Sequence, residues 1–113
     1  MNIEQLRKFC LSFPHATEDV KWGNDLCFCV GAKMFCVTDL QTGHHISFKC
    51  TPEKFAELVE RDGIIPAPYV ARYHWVAVTE AGAISDTEMK GLISGSYALV
   101  HAKLPKSIRK NLT

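Results

Sequence analysis

The chain predicts a two-layer α+β domain, an antiparallel β-sheet with helices packed on one face. Three observations carry this expectation. The apolar patterns run helix, three strands, helix, strand, helix, an order that an alternating βαβ parallel sheet does not produce. Helix starts are marked by capping residues at Asn2, Thr51 and Ser85. The 113 residues, 47% hydrophobic and 22% charged, contain no repeat or low-complexity tract, which suits a single core and a single domain over residues 1–113.

Each element has its own local cause. Asn2 caps a first helix with Gln5 at its third position, and Ile3, Leu6, Phe9, Cys10 and Phe13 follow at helical spacing until Pro14 ends it. Leu26 to Val30 and Met34 to Val37 are two strands joined by the turn Gly31-Ala32. In the third strand Ile46, Phe48 and Cys50 alternate with His45, Ser47 and Lys49, giving one buried and one polar face. A further short strand has room around Val20 to Trp22.

The second helix opens with an N-cap threonine, proline at the first helical position and an early acid: Thr51-Pro52-Glu53. It carries Phe55, Leu58 and Val59 and ends near Gly63. Ile64 to Pro68 reads as an extended loop, because two prolines disfavour both helix and central strand. Tyr73 to Thr79 is a fourth strand, with Tyr73 and Trp75 on one face. Ser85-Asp86-Thr87-Glu88 is a capping box that opens a helix with Met89, Leu92, Ile93, Tyr97 and Val100 on one face, running up to Pro105.

Several chemistries find no support. Cys27 and Cys29 point to one side of a strand and Cys36 could lie close across the hairpin, but C-x-C in mid-strand lacks the turn that lets zinc thiolates converge. No metal and no cofactor are expected. The histidines show no acid–base or ligand spacing: His44 and His45 adjoin on a turn, His15 follows Pro14, and His101 sits on the last helix. Ser94-Gly95-Ser96 falls inside a helix instead of on a strand-to-helix elbow, and neither phosphate-cradling glycine motif occurs. The chain therefore reads as no enzyme. Five cysteines, no apolar run of the ~20 residues that span a bilayer and no charged segment before an apolar stretch point to reduced thiols, no membrane partner and a cytoplasmic location.

Charge is more informative. Residues 1–88 hold eight Lys/Arg against twelve acids, or −4, whereas residues 89–113 hold five cations and no acid, or +5. Lys103, Lys106, Arg109 and Lys110 cluster there. A helix C-terminus accounts for Lys103, but Lys106, Arg109 and Lys110 lie beyond Pro105. Upstream, Pro66 to Trp75 interleaves aromatics with Arg72 and His74 after a stiff loop, so its rings either cover the sheet or stack on bases.

Lys21-Trp22-Gly23, Gly31-Ala32-Lys33-Met34-Phe35, Ser47-Phe48-Lys49, Pro66-Ala67-Pro68-Tyr69, Arg72-Tyr73-His74-Trp75, Ser96-Tyr97 and Lys103-Leu104-Pro105-Lys106 together resemble the MmcQ/YjbR family across nearly the whole chain. The resemblance implies a fold like the secretion-chaperone α+β domains and DNA binding through a double-wing motif. Carried over by position, it implies a nucleic-acid surface of Lys33 on a hairpin wing, Lys49, Arg72, His74, Trp75, Lys103 and Lys106, which Arg109 and Lys110 would extend. The partner is then DNA, held weakly and salt-dependently. The alternative is a protein-interaction module or homodimer anchored by Tyr69, Tyr73 and Trp75; a small-molecule site around Lys49, Arg72 and His74 is a third possibility.

Overall fold

A computed structural model describes residues 1–42 and 45–111, for Asn111 the backbone alone, so the expectation for His44 lies outside the described residues. Helix α1 (Ile3–Leu11) precedes strands β1 (Thr17–Lys21), β2 (Asp25–Val30), β3 (Lys33–Asp39) and β4 (Ile46–Lys49). Then come α2 (Pro52–Leu58), β5 (Ile64–Pro66), a 3₁₀ turn (Ala71–Tyr73), β6 (Trp75–Val78), α3 (Asp86–Ala102) and α4 (Lys106–Asn111). The sheet has six strands in the order β1-β2-β3-β4-β6-β5, and every neighbouring pair is antiparallel. The α+β class expected from the sequence is what forms.

One sheet face makes the main core. Leu26, Phe28 and Val30, then Cys36, Ile46, Phe48, Val76 and Val78 pack on Leu6 and Cys10 of α1, Leu58 of α2 and Met89, Ile93 and Val100 of α3. Alternation along each strand dictates that set. Phe35 breaks the parity and is still fully buried, because the β2/β3 register shifts by one between Phe28 and Cys29, leaving Phe35 as the extra residue of a bulge. Its ring meets Tyr97 edge-on at 5.3 Å. Its carbonyl accepts the hydroxyl of Ser96 at 2.6 Å, and the same Ser96 oxygen accepts the backbone N–H of Lys49 at 2.9 Å. The register also sets Cys36 opposite Phe28, on the face away from Cys27 and Cys29, so the three thiols do not converge. All five cysteines are buried and unbridged, and burial pushes the Cys27 thiol up to about 11.

Four sequence expectations need correction. The short strand near Val20 is a full edge strand of five residues, Thr17–Lys21, whose Glu18 turns toward α1 and binds Arg7 at 2.7 Å. The proline segment is not all loop: Ile64–Pro66 pairs with β6 as the opposite edge, where a missing N–H leaves no central ladder bond broken. The fourth strand begins at Trp75 and not Tyr73, because Ala71–Tyr73 forms a 3₁₀ turn and His74 takes a left-handed φ of 65°. Tyr73 and Trp75 therefore do not share a strand face. Finally, Ser85 caps α3 by accepting the N–H of Glu88, but the Glu88 carboxylate goes to Arg61 at 2.9 Å, so half of the expected capping box is diverted to a tertiary ion pair. At α1 both halves of the box form, from Asn2 and Gln5.

Candidate nucleic-acid interface

The topology gives the sheet two unlike ends. At one lie the β2–β3 turn, the last residue of β4 (Lys49) and the first of β6 (Trp75), which is paired with Lys49. Helix α3 runs toward this end: its start, Ser85 and Asp86, borders the same small cavity as Ile46 and Val78, whereas Ser96 has reached Lys49. Its C-terminal cap Lys103, Leu104 and then α4 therefore arrive beside the β2–β3 turn. Gly31 fixes that approach. A Cβ on Gly31 would stand 2.7 Å from Leu104 Cδ1 and 3.1 Å from Ile108 Cγ2, and its φ of 55° is one that glycine adopts without strain. The hairpin tip at Gly31 is thus packed against Leu104 and Ile108.

The cations named from the sequence lie on the elements that meet at this end. Lys33 opens β3 next to the turn. The Lys49 ammonium donates to the Tyr73 carbonyl at 2.5 Å, and burial, then the positive charge of Lys103, hold it below the usual lysine range. Arg72 lies over the Tyr73 ring, 4.8 Å from its centroid. Lys106, Arg109 and Lys110 sit on α4, where the Arg109 Nε is covered by its surroundings and has no acceptor among the described residues. Among the described residues Lys33, Lys49, Arg72, Lys103, Lys106 and Arg109 enter no ion pair; the ion pairs engage Arg7, Lys54, Arg61 and the Met1 amino group.

Acids collect at the other end. Asp25 stands opposite Asp39 in the β2/β3 register, Glu80 follows β6, and Asp86 opens α3. Helix α2 runs the same way as α3's reverse, from Thr51 beside Lys49 to Gly63, whose carbonyl accepts the Thr79 N–H at 2.8 Å. This carries Glu60 and Asp62 away from the cationic end and leaves Glu53, in the first turn, nearest to it.

The aromatics separate as the sequence alone did not show. Trp75 is 7% exposed, packed with Ala67, Ala77, Met34, Val37 and Val70 into a second small cluster on the sheet face opposite the helices, and offers no open ring. His74 turns its ring edge-on to Phe55 at 5.6 Å while its carbonyl accepts the Cys50 N–H at 2.9 Å. Tyr73 is 50% exposed and Tyr69 is 99% exposed, so the open rings at this end are the two that the cationic set omitted. The doubled proline before Tyr69 was the available signal. An open, largely apolar groove of ≈ 680 Å³ between α2 and α3 has Lys49 at its edge, but Arg72 and His74 do not line it, so it is not the cleft that a Lys49–Arg72–His74 site would need.

Comparison with known proteins agrees with this fold. The curated protein YjbR of Escherichia coli K12, described as uncharacterized, is 26% identical over 116 residues that cover 99% of this chain and 98% of its own, and the YjbR of Escherichia coli O157:H7 matches equally. The crystal structure of Deinococcus radiodurans protein DR2400, a DUF419 domain, superposes with a TM-score of 0.88 at 32% identity over 98% of this chain and 87% of that one. A Pseudomonas syringae protein shares the fold with a TM-score of 0.73 at 22% identity, over 88% of this chain and 99% of its own. With a YjbR family model matching residues 11–99 of a chain built on this sheet, the protein belongs to the YjbR family.

Proposed function

We propose that this protein is a small cytoplasmic binding protein, without enzymatic activity, that holds DNA through the cationic end of its sheet. The observation that supports this reading is that Lys33, Lys49, Arg72, Lys103, Lys106 and Arg109 sit on elements that meet there and, among the described residues, enter no ion pair, while most of the carboxylates are paired or lie toward the far end and Glu53 is the acid nearest the cations. Cations left unneutralised beside one another repel, as Lys103 adds to the effect of burial in depressing Lys49, and a phosphate backbone relieves that repulsion while releasing counterions. With a net charge of only +1, this local field is what would bind, so affinity should be weak and short-ranged.

Fluorescence anisotropy of a labelled short DNA against salt tests this. The log–log slope should be about −0.9 for each phosphate contacted, and K103Q/K106Q should flatten it by roughly two such increments. Absence of binding at about 50 mM salt, or a slope indifferent to these substitutions, would sink the reading.

The exposure of Tyr69 and Tyr73 favours one alternative, a protein-interaction module or homodimer in which these rings are the anchors and Trp75 is not. Capture of a partner by the whole protein that survives nuclease and disappears in Y69A/Y73A would favour it over the DNA reading.

A further inference from the structure

The two exposed tyrosines say what form of nucleic acid this end suits. Tyr69 follows Pro68 with a left-handed φ of 70°, a conformation that glycine or asparagine holds at little cost and a ring-bearing residue does not. Its ring is 99% exposed and enters no hydrogen bond or ring contact among the described residues, so no interaction within the fold compensates for it there. The segment beneath it is nonetheless fixed. Ala67 is buried and donates to the Trp75 carbonyl at 3.0 Å, Val70 packs into the second cluster, and the N–H groups of Tyr73 and His74 bond Val70 and Ala71 at 3.0 and 2.9 Å. The ring stands on a short, fastened loop.

Tyr73, half exposed, is flanked by the Arg72 guanidinium over its ring and by the Lys49 ammonium on its carbonyl. Four residues of chain hold the two tyrosines within about 14 Å of each other. Tyr73, with Arg72 on its ring and Lys49 on its carbonyl, and Tyr69 four residues before it on the same fastened loop are therefore presented at the end of the sheet where Lys103 faces Lys49, rings for flat apolar faces and cations for the phosphates between them.

Base faces are hidden in a duplex, which exposes only edges in its grooves, and they become available where a strand is unpaired. We infer that the DNA this end receives is single-stranded, with bases stacked on Tyr69 and Tyr73 and phosphates held by Lys49, Lys103 and Arg72. The inference rests on the DNA-binding reading above and names the form of DNA that the site takes.

The test compares one oligonucleotide in three forms, single-stranded, as a duplex, and as an abasic strand of equal charge, with the whole protein at one low salt concentration. Single strands are expected to bind about tenfold or more tightly than the duplex. Y69G, which removes the ring and relieves the backbone, should melt no lower than the parent yet weaken single-strand binding about tenfold, and Y73A should weaken it comparably. Y69F should keep the affinity, and the abasic strand should bind weakly and ignore Y69G. Equal or tighter duplex binding, or single-strand affinity unmoved by Y69G, overturns the stacking inference. If K103Q/K106Q still weakens binding in that case, the DNA reading stands without it; if none of the three forms binds, both go.

Discussion

At the scale of single residues, the side chain that does most for the architecture is Ser96. A bulge leaves the Phe35 carbonyl for Ser96 to bind, and the same oxygen takes the Lys49 N–H, so one buried hydroxyl ties α3 to β3 and β4 where β4 ends in the candidate site. S96A leaves two buried backbone groups without partners and should cost about 1–3 kcal/mol, seen as a Tm at least roughly 4 °C lower by circular dichroism or calorimetry. An unchanged Tm would mean that water replaces the hydroxyl. From the sequence Ser96 is legible as a packed helical serine and not as a bridge, because its acceptor lies 61 residues away across a bulge that no periodicity announces. Trp75 and Tyr69 show the same limit. Composition marks both as aromatic, and only the left-handed His74 and the fastened loop send one ring into a packed cluster and the other into solvent.

Among elements, the informative ones are β1, β5 and α4, which local pattern understates. The edge strands are short, and both resist the apolar alternation by which central strands reveal themselves: β1 is polar and mostly exposed, β5 is three residues ending in proline. Helix α4 is six residues beyond Pro105, too short to show a period, and its place is set by Leu104 and Ile108 closing over Gly31. A G31A variant meets Leu104 Cδ1 at 2.7 Å and must hold φ at 55°, a left-handed conformation that costs an alanine about 1–2 kcal/mol. The expected outcome is lower stability in urea together with faster proteolysis within residues 105–111. Loss of stability with no change in cleavage there would show that α4 does not depend on this contact.

Over the whole molecule, charge is partitioned between the ends of the sheet, and the acids do structural work. Hydrogen bonds from Arg7 hold the Glu18 carboxyl below the usual range, and those from Arg61 do the same for Glu57 and Glu88. A carboxyl depressed by folding contributes stability that is fully present above its unfolded pKa and lost as pH falls through its folded one. Stability should therefore fall below about pH 5 and be flat from there to about pH 8, and E18Q/E88Q should reduce the acid sensitivity measured as Tm against pH. An acid limb as steep in that variant as in the parent would place its origin elsewhere. These pairs also explain how a chain with a net charge of +1 keeps a cationic end: the arginines of α1 and the α2 side neutralise acids locally, leaving Lys33, Lys49, Arg72, Lys103, Lys106 and Arg109 without such partners among the described residues.

Periodicity and capping by themselves determined the α+β class, helices α1, α2 and α3, the central hairpin and the buried face of β4, because each depends on interactions a few residues apart that the local sequence carries. The separation of an acidic stretch from a basic one was equally legible. Which side chains share a surface was decided by the fold alone: antiparallel register and the direction of α3 bring Lys33, Lys49, Arg72 and Lys103 to one end of the sheet, and a bulge and a left-handed turn choose which rings remain open. Those are consequences of closing long loops over a common core, and contacts made at long sequence separation leave no period in the chain to read.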